Sequence, residues 1–404
     1  MSWPNPQSLK LLDRLLSALP SYLQDAAQLR HEIHRYPDLS DSEISTAERI
    51  LEYLPEDDPI ALLDTGFAVR VGPGFGPTVA LRAELDALPI QEETGAPWAS
   101  LKPGVMHACG HDVHLAALWA LIRAAHDVDD LPIPMLGLFQ PAEEVQPSGA
   151  ERIIQAGVLA EHEIAAIIAA HVQPRLALGQ VSTGAGAVNA ATEEFEITVN
   201  GAPGHGAYPH VAIDPIPVLA AIVQGLQEIV SRDLNPMHPA VITVGELHAG
   251  TAPNIISASG YMRGILRTLN PSDRNLIVER VRALVTHVAA SRGASAEVRW
   301  LDDDPVLVNN DELAASADGL FDSIGVTPID PAFRSMGADD FSHYLSLAPG
   351  LMMFVGSGTG MVSYTRGEIA LHHPKFLPSD SLIGEVAKAL AVGYVSGAHL
   401  AGAV

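Results

Sequence analysis

The chain has 404 residues, and its 48 Asp and Glu against 23 Lys and Arg give a formal net charge of −25. With 48% hydrophobic and only 18% charged residues it is a globular chain, excluding disorder, and at roughly 100–200 residues per domain two or three domains are expected. The acidity argues against nucleic acid as the main partner and disfavours anionic membrane surfaces, since phosphate recognition needs a basic stripe and the four lysines (Lys10, Lys102, Lys375, Lys388) are scattered.

Taken in chain order, residues 9–18 and 21–36 have helical apolar spacing, the second stopping at Pro37. Residues 41–54 predict a third helix, with Ser40 as cap and Glu43 at capping-box distance. The period then changes. Residues 77–82 and 132–139 are short apolar runs bounded by Pro and Gly, as buried strands are, and residues 114–125 between them read as a helix. Residues 164–170 predict a further buried strand. Strands with continuous apolar character, alternating with helices, indicate a layered α/β fold with a mixed, mostly parallel sheet.

Near Ala187 the texture shifts. Residues 192–200 alternate polar and apolar, as a half-exposed antiparallel strand does. A helix (215–232), two strands (240–247 and 259–267), a long helix (272–292) and a strand (296–300) follow. Two helices on one four-stranded sheet make a complete α+β unit. The expected organisation is a discontinuous domain, 1–187 and 303–404, with residues 188–302 inserted into it.

Cys109 is the sole cysteine, so no intramolecular disulfide framework exists. Residues 1–10 have no basic start followed by an apolar stretch, and no run of 18 apolar residues occurs, so a reducing, cytoplasmic setting is expected.

The chemistry-bearing groups fall mainly at strand ends. Cys109, His111 and Asp112 precede a helix; Glu143 and Glu144 follow a strand; His171 ends another; His372 and His373 stand near the end of the chain. In an open α/β sheet ligands bind outside the carboxyl ends of the strands. Thiolate, imidazole and carboxylate together suit Zn, Mn, Co or Ni. Individually these signals decide little: a buried cysteine or histidine is most often core, and paired glutamates are most often a solvated turn. Neighbouring carboxylates do permit a division of labour, one holding a metal and the other moving a proton, which is the chemistry of amide hydrolysis. A thiol hydrolase built on Cys109 is the rival, but such enzymes draw their base from elsewhere in the fold.

Nine ordered motifs carry a resemblance to a known family: HEIHRYPDLSDSE (31–43), LRAELDALPI (81–90), MHACGHDVH (106–114), FQPAEE (139–144), AAHV (169–172), GHGAYPH (204–210), GTAPNII (250–256), GADDFSHY (337–344) and LHHPKF (371–376). Together they resemble the metal-dependent aminoacylase/carboxypeptidase superfamily, and within it the amidohydrolases typified by hippurate hydrolase and indole-3-acetyl-amino-acid hydrolase. The resemblance implies two divalent metal ions on Cys109, His111, Glu144, His171 and His372, with Glu143 as general base and acid. It implies that Asp86 lies near the first metal and orients a ligand histidine. It further implies a homodimer through the inserted domain, which also acts as a lid. From that domain His205 resembles the oxyanion-stabilising histidine, and Asn254 and Arg267 resemble groups that hold the substrate carboxylate. The expected substrate is an N-acyl amino acid. A dipeptide or carboxy-terminal exopeptidase on the same scaffold, and a dimeric binding protein without catalysis, are the alternatives.

Departures from the family pattern are Glu84 where Asp is common, Ser257 where Pro is common, and Asp339-Asp340 in place of Glu-Asp. The His372-His373 tandem leaves the last ligand open by one residue, with the resemblance favouring His372. Residues 356–360 (GSGTG) lack the Lys-Ser/Thr of a phosphate loop and read as a turn.

Overall fold

A computed structural model describes residues 3–54, 58–74, 76–358 and 368–404, with residues 302 and 303 described for backbone only. Thr359 and Gly360 of the GSGTG segment lie outside the described residues, and residues 356–358 end a strand. The chain forms two compact units, one of residues 1–186, 308–333 and 340–404, the other of residues 187–307 and 334–339.

The first unit is built on a seven-stranded sheet. From one edge its order is Ile60–Leu62, Gly66–Val71, Met135–Gln140, Thr78–Glu84, Ile164–Ala177, Gly350–Gly358 and Val181–Ser182. The four strands from Met135–Gln140 to Gly350–Gly358 run parallel, and the flanking strands are antiparallel. Every residue of Thr78–Glu84 and of Met135–Gln140 is buried, which is why their sequences are mainly apolar rather than alternating, and of the polar exceptions Arg82 bonds both Glu84 and Gln140. The His111–His126 and Ser381–Leu400 helices are also buried almost all round, and their many Ala and Gly residues let backbones approach closely. At Gly393 a Cβ would meet Ile168 Cγ2 at 2.3 Å, so the Ile168 side chain of the sheet packs directly on the helix backbone there. No described helix is long and apolar enough to cross a membrane.

Three sequence expectations are corrected here. The third helix is Ile44–Glu52, and its cap position, Glu43, makes no side-chain capping bond. Ser40 and Glu43 are drawn away by long-range partners: Ser40 Oγ donates to Asp86, while Glu43 accepts from Thr65 Oγ1 and the Ala142 N–H. Asp38 instead bonds the Thr46 N–H at 2.9 Å. The helix expected at 114–125 begins at His111, placing His111 and Asp112 in its first turn. His171 does not end its strand, which continues to Ala177; what ends near it is the pairing with Thr78–Glu84, whose last matched pair is Arg82 with Ala169.

The second unit carries a four-stranded antiparallel sheet in the order Ala240–Ala249, Ser259–Thr268, Ala191–Asn200, Ser295–Asp304. Phe195, Ile197 and Val199 alternate inward on one strand. The Pro215–Glu228 and Pro271–Ala290 helices start at Asp214 and Asn270, whose side chains accept from the N–H two residues on. Val218, Leu219, Ile222 and Leu226 on one helix, and Ile277, Val281, Val285 and Ala289 on the other, form the stripes buried against the sheet.

Candidate metal centre

The site of the first unit begins at a backbone constraint. Gly110, at φ +90°, lies between Cys109 and His111, and a Cβ there would stand 2.4 Å from Val172 Cγ2. Only glycine meets both conditions, and the turn it allows brings Cys109 and His111 to one place. Ala142 (φ 55°) before Glu143, and His372 (φ 65°), are also left-handed although neither is glycine. The His372 N–H donates to the Ala108 carbonyl at 2.8 Å, tying the carboxy-terminal segment to the cysteine loop.

Distances then decide which groups converge. Cys109, Glu144 and His372 each offer a ligand atom within 4.8 Å of the others, and so do His111, Glu143 and Glu144. His372 Nε2 is 3.3 Å from Glu144 Oε1, His111 Nε2 is 3.9 Å from Glu143 Oε2 and 4.0 Å from Glu144 Oε1, and Cys109 Sγ is 3.5 Å from His171 Nε2. The five expected ligands and the expected base therefore lie together. His373 turns elsewhere, its Nδ1 accepting from the Lys375 N–H at 3.1 Å.

Two of the histidines are oriented by backbone. His111 Nδ1–H donates to the Asp86 carbonyl at 2.9 Å, and His171 Nδ1–H to the Val172 carbonyl at 2.7 Å, so both present Nε2 to the site. This corrects the expectation for Asp86: its peptide oxygen, not its carboxylate, orients His111, and its Oδ1 is 3.7 Å from that ring. The carboxylate accepts instead from Ser40 Oγ at 2.7 Å and the Glu144 N–H at 2.9 Å, holding the glutamate pair in place.

His111 Nε2, Glu144 Oε1 and Asp86 Oδ1 are buried with no aligned hydrogen-bond partner among the described residues. Such groups are costly to leave unsatisfied, and a divalent cation between His111 Nε2 and Glu144 Oε1 would satisfy both. Charge points the same way. Burial opposes ionisation of His111, yet Glu84, Asp86 and Glu144 outweigh it and raise its pKa. Burial raises Asp86, with Glu144 adding to it. Burial also works to raise Glu144, but His372 and His111 beside it bring its carboxyl below the ordinary value. Burial drives His171 down to about 3, keeping its lone pair free. Crowded carboxylates, a neutral imidazole and a thiol make a donor set suited to borderline divalent ions.

Behind the candidate ligands lies a network centred on Arg30, Asp112 and His34, of which the sequence reading singles out Asp112 alone, without this role. Arg30 donates to Asp112 at 2.8 Å, to Asp380 at 2.6 Å and to the Pro378 carbonyl at 2.8 Å, joining the first turn of the His111–His126 helix to the segment that follows His372. His34 Nδ1 donates to Asp112 at 3.0 Å, and Nε2 lies 3.3 Å from Glu92 Oε1. The sequence signal that could have found it is helical spacing: Arg30 and His34 fall on the same stripe of the Leu23–Arg35 helix as Ala26, Leu29 and Ile33, and both are fully buried.

His205, Asn254 and Arg267 belong to the second unit. His205 is exposed in a two-stranded ladder with Ile255, its Nδ1 accepting from the Ala207 N–H, and the Asn254 carbonyl accepts from the Gly206 N–H at 2.8 Å. Arg267 does not join them. It sits eight residues along the Ser259–Thr268 strand from Ser259, roughly 26 Å at ~3.3 Å per residue, where it donates to the Met336 carbonyl at 3.3 Å. Burial lowers its pKa, with Asp304 opposing.

The chain belongs to peptidase family M20/M25/M40, which matches residues 80–391. It is 35% identical over 384 residues to the N-acetyl-L-cysteine deacetylase of Bacillus subtilis (strain 168), covering 94% of this chain and 87% of that protein. It is 34% identical over 368 residues to the N-acetyldiaminopimelate deacetylase of Exiguobacterium sibiricum, covering 89% and 96%. Among solved structures it is similar to the YXEP protein of Bacillus subtilis, described as a dinuclear metal binding peptidase from the M20 family. The TM-score is 0.78 at 29% identity, over 93% of this chain and 98% of that one.

Proposed function

We propose that this protein hydrolyses the amide bond of N-acyl amino acids, releasing a carboxylic acid and a free amino acid. The observation that carries this is the convergence of Cys109, His111, Glu144, His171 and His372 on a buried, anionic, hydrogen-bond-deficient site with Glu143 beside it. The named deacetylase relatives, which act on N-acylated amino acids, support the substrate class.

The five ligands would hold two divalent ions drawn from Zn, Mn, Co or Ni. When bound, these supply positive charge that polarises an amide carbonyl and acidifies water. Glu143, largely buried beside His111, takes the proton of the attacking water and returns it to the leaving nitrogen as the C–N bond breaks. His205 serves as oxyanion donor, and Asn254 and Arg267 receive the substrate carboxylate, an ionic partner the net charge of −25 otherwise disfavours. Because Arg267 stands apart from His205 and Asn254 within its unit, Asn254 and Arg267 meet one carboxylate only when they come from different protomers of a dimer.

The same proposal includes a homodimer through the second unit and a cytoplasmic location. The open edge strand Ala240–Ala249 supports the first, with Val241 42% and Leu247 45% exposed. The need for a reduced Cys109 supports the second. Sedimentation showing only monomer at micromolar concentration would remove the dimer.

The test is a panel of N-acetyl and N-benzoyl amino acids and free dipeptides, with metal content measured on the same preparation. Cleavage of the acyl amino acids, abolished by chelation and restored by added Mn, Zn, Co or Ni, is expected. Preference for free dipeptides would make the protein an exopeptidase. Activity that survives chelation and is lost on alkylating Cys109 would make it a thiol hydrolase.

A further inference from the structure

Glu84, His111, His114 and His171 are all buried, and each brings a ligand atom within 4.8 Å of the other three. By distance alone they form another nest of metal ligands. Their hydrogen bonds divide them into two kinds.

Beyond Ala169 the Ile164–Ala177 strand has no further partner in Thr78–Glu84. Three residues on, the Val172 N–H donates to His114 Nε2 at 3.0 Å. A ring nitrogen that accepts carries no proton, so the His114 proton resides on Nδ1. That Nδ1–H donates to Glu84 Oε2 at 2.8 Å. The other Glu84 oxygen accepts from Arg82, which also bonds Gln140 and Asp340. Both nitrogens of His114 are thus spent inside the protein. His111 and His171 each spend only Nδ1 and keep Nε2 for the site. The Val172 residue is gripped twice, its N–H by His114 and its carbonyl by His171.

We propose that His114 is a positioning residue rather than a metal ligand: the chain Arg82–Glu84–His114 fixes Val172, whose carbonyl in turn sets the ring of His171 so that Nε2 faces Cys109. Glu84 supplies the acceptor that selects the tautomer, and Arg82 holds Glu84. A metal on His114 Nε2 would strip a buried N–H of its acceptor, which buried backbone groups rarely tolerate. The role of His171 rests on the two-metal function proposed above.

The experiment compares His114→Leu, which fills space without polar atoms, with His114→Gln, whose amide offers one donor and one acceptor. Metal-free full-length protein is titrated with Co²⁺ and followed by its visible absorption. Removing a group that orients a metal ligand typically costs 10–100-fold in affinity. His114→Leu is therefore expected to bind the same number of Co²⁺ per chain with one class weakened by about 10–100-fold, and His114→Gln is expected to regain most of that loss. Loss of one Co²⁺ per chain in both variants would make His114 a ligand and overturn the proposal. Lowered thermal stability with unchanged Co²⁺ affinity would reduce His114 to packing and overturn it too. Independently of any metal, histidine ¹⁵N spectra of the wild type, assigned by difference with His114→Gln, should show His114 as the Nδ1–H tautomer, and an Nε2–H form would refute the relay even if His114→Leu does not fold. Wild type that takes up no Co²⁺ sinks the two-metal function instead, and the tautomer then decides the relay alone.

Discussion

The Arg30–Asp112–His34 network stores a pH-dependent part of the stability of the first unit. His34 is fully buried, and burial works against its charge; Asp112 at 3.0 Å and Glu92 at 3.3 Å more than offset this and raise its pKa from 6.5 to about 9. At ~1.4 kcal/mol per pH unit, that difference corresponds to about 3 kcal/mol. Because the folded-state pKa is the higher one, the contribution is complete below pH 6.5 and is lost as pH rises from 6.5 through about 9. The perturbation is His34→Gln, which keeps a donor for Asp112 and cannot ionise. Urea unfolding of the first unit, at saturating metal, is followed in both proteins from pH 6 to pH 10. The wild type should exceed the variant by about 3 kcal/mol at pH 6, and the gap should close by pH 10. Parallel pH curves for the two proteins would show that His34 carries no stabilising charge and refute the reasoning.

Three further outcomes follow from the geometry. Glu143→Ala should retain its metal, measured by elemental analysis, while turnover falls at least ~100-fold; near-normal turnover would remove Glu143 as base. Gly110→Ala places a Cβ 2.4 Å from Val172 Cγ2 at φ +90°, and should cost ~1–3 kcal/mol in thermal unfolding with weakened metal binding; an unchanged melting temperature and metal content would show that the loop relaxes freely. Arg82→Met leaves Glu84 and Asp340 buried without their cation, and a loss of ~3–5 kcal/mol is expected, with a loss below ~1 kcal/mol in chemical denaturation counting against the pair.

The candidate ligands were legible through the ordered motifs that carry the family resemblance. Cys109, His111, the glutamate pair and His171 are conspicuous beside apolar strands, and they do converge. Ser40 and Glu43 misled for the opposite reason. A Ser and a Glu three apart satisfy a local capping pattern, and nothing local reveals that Asp86, Thr65 and Ala142 compete for them. Asp86 was legible as a site residue but not in its action, since which of its oxygens meets His111 depends on the turn after the Thr78–Glu84 strand. His114 stood in a quoted motif without a role, because its partners lie at Glu84 and Val172, 30 and 58 residues away.

Periodicity with Pro and Gly punctuation was enough, within the sequence, to indicate the layered α/β unit and the α+β unit, and the ordered motifs of the resemblance to indicate the candidate ligands. These are properties of residue type and short-range spacing. Tertiary structure alone decided the rest: that His372 and not His373 reaches Glu144, that Asp86 orients His111 through its carbonyl, and that Arg267 lies eight residues along its strand from Ser259, apart from His205 and Asn254. Each of these depends on where a backbone oxygen or a left-handed residue falls once distant segments meet, and the one-dimensional pattern of side chains does not encode that directly.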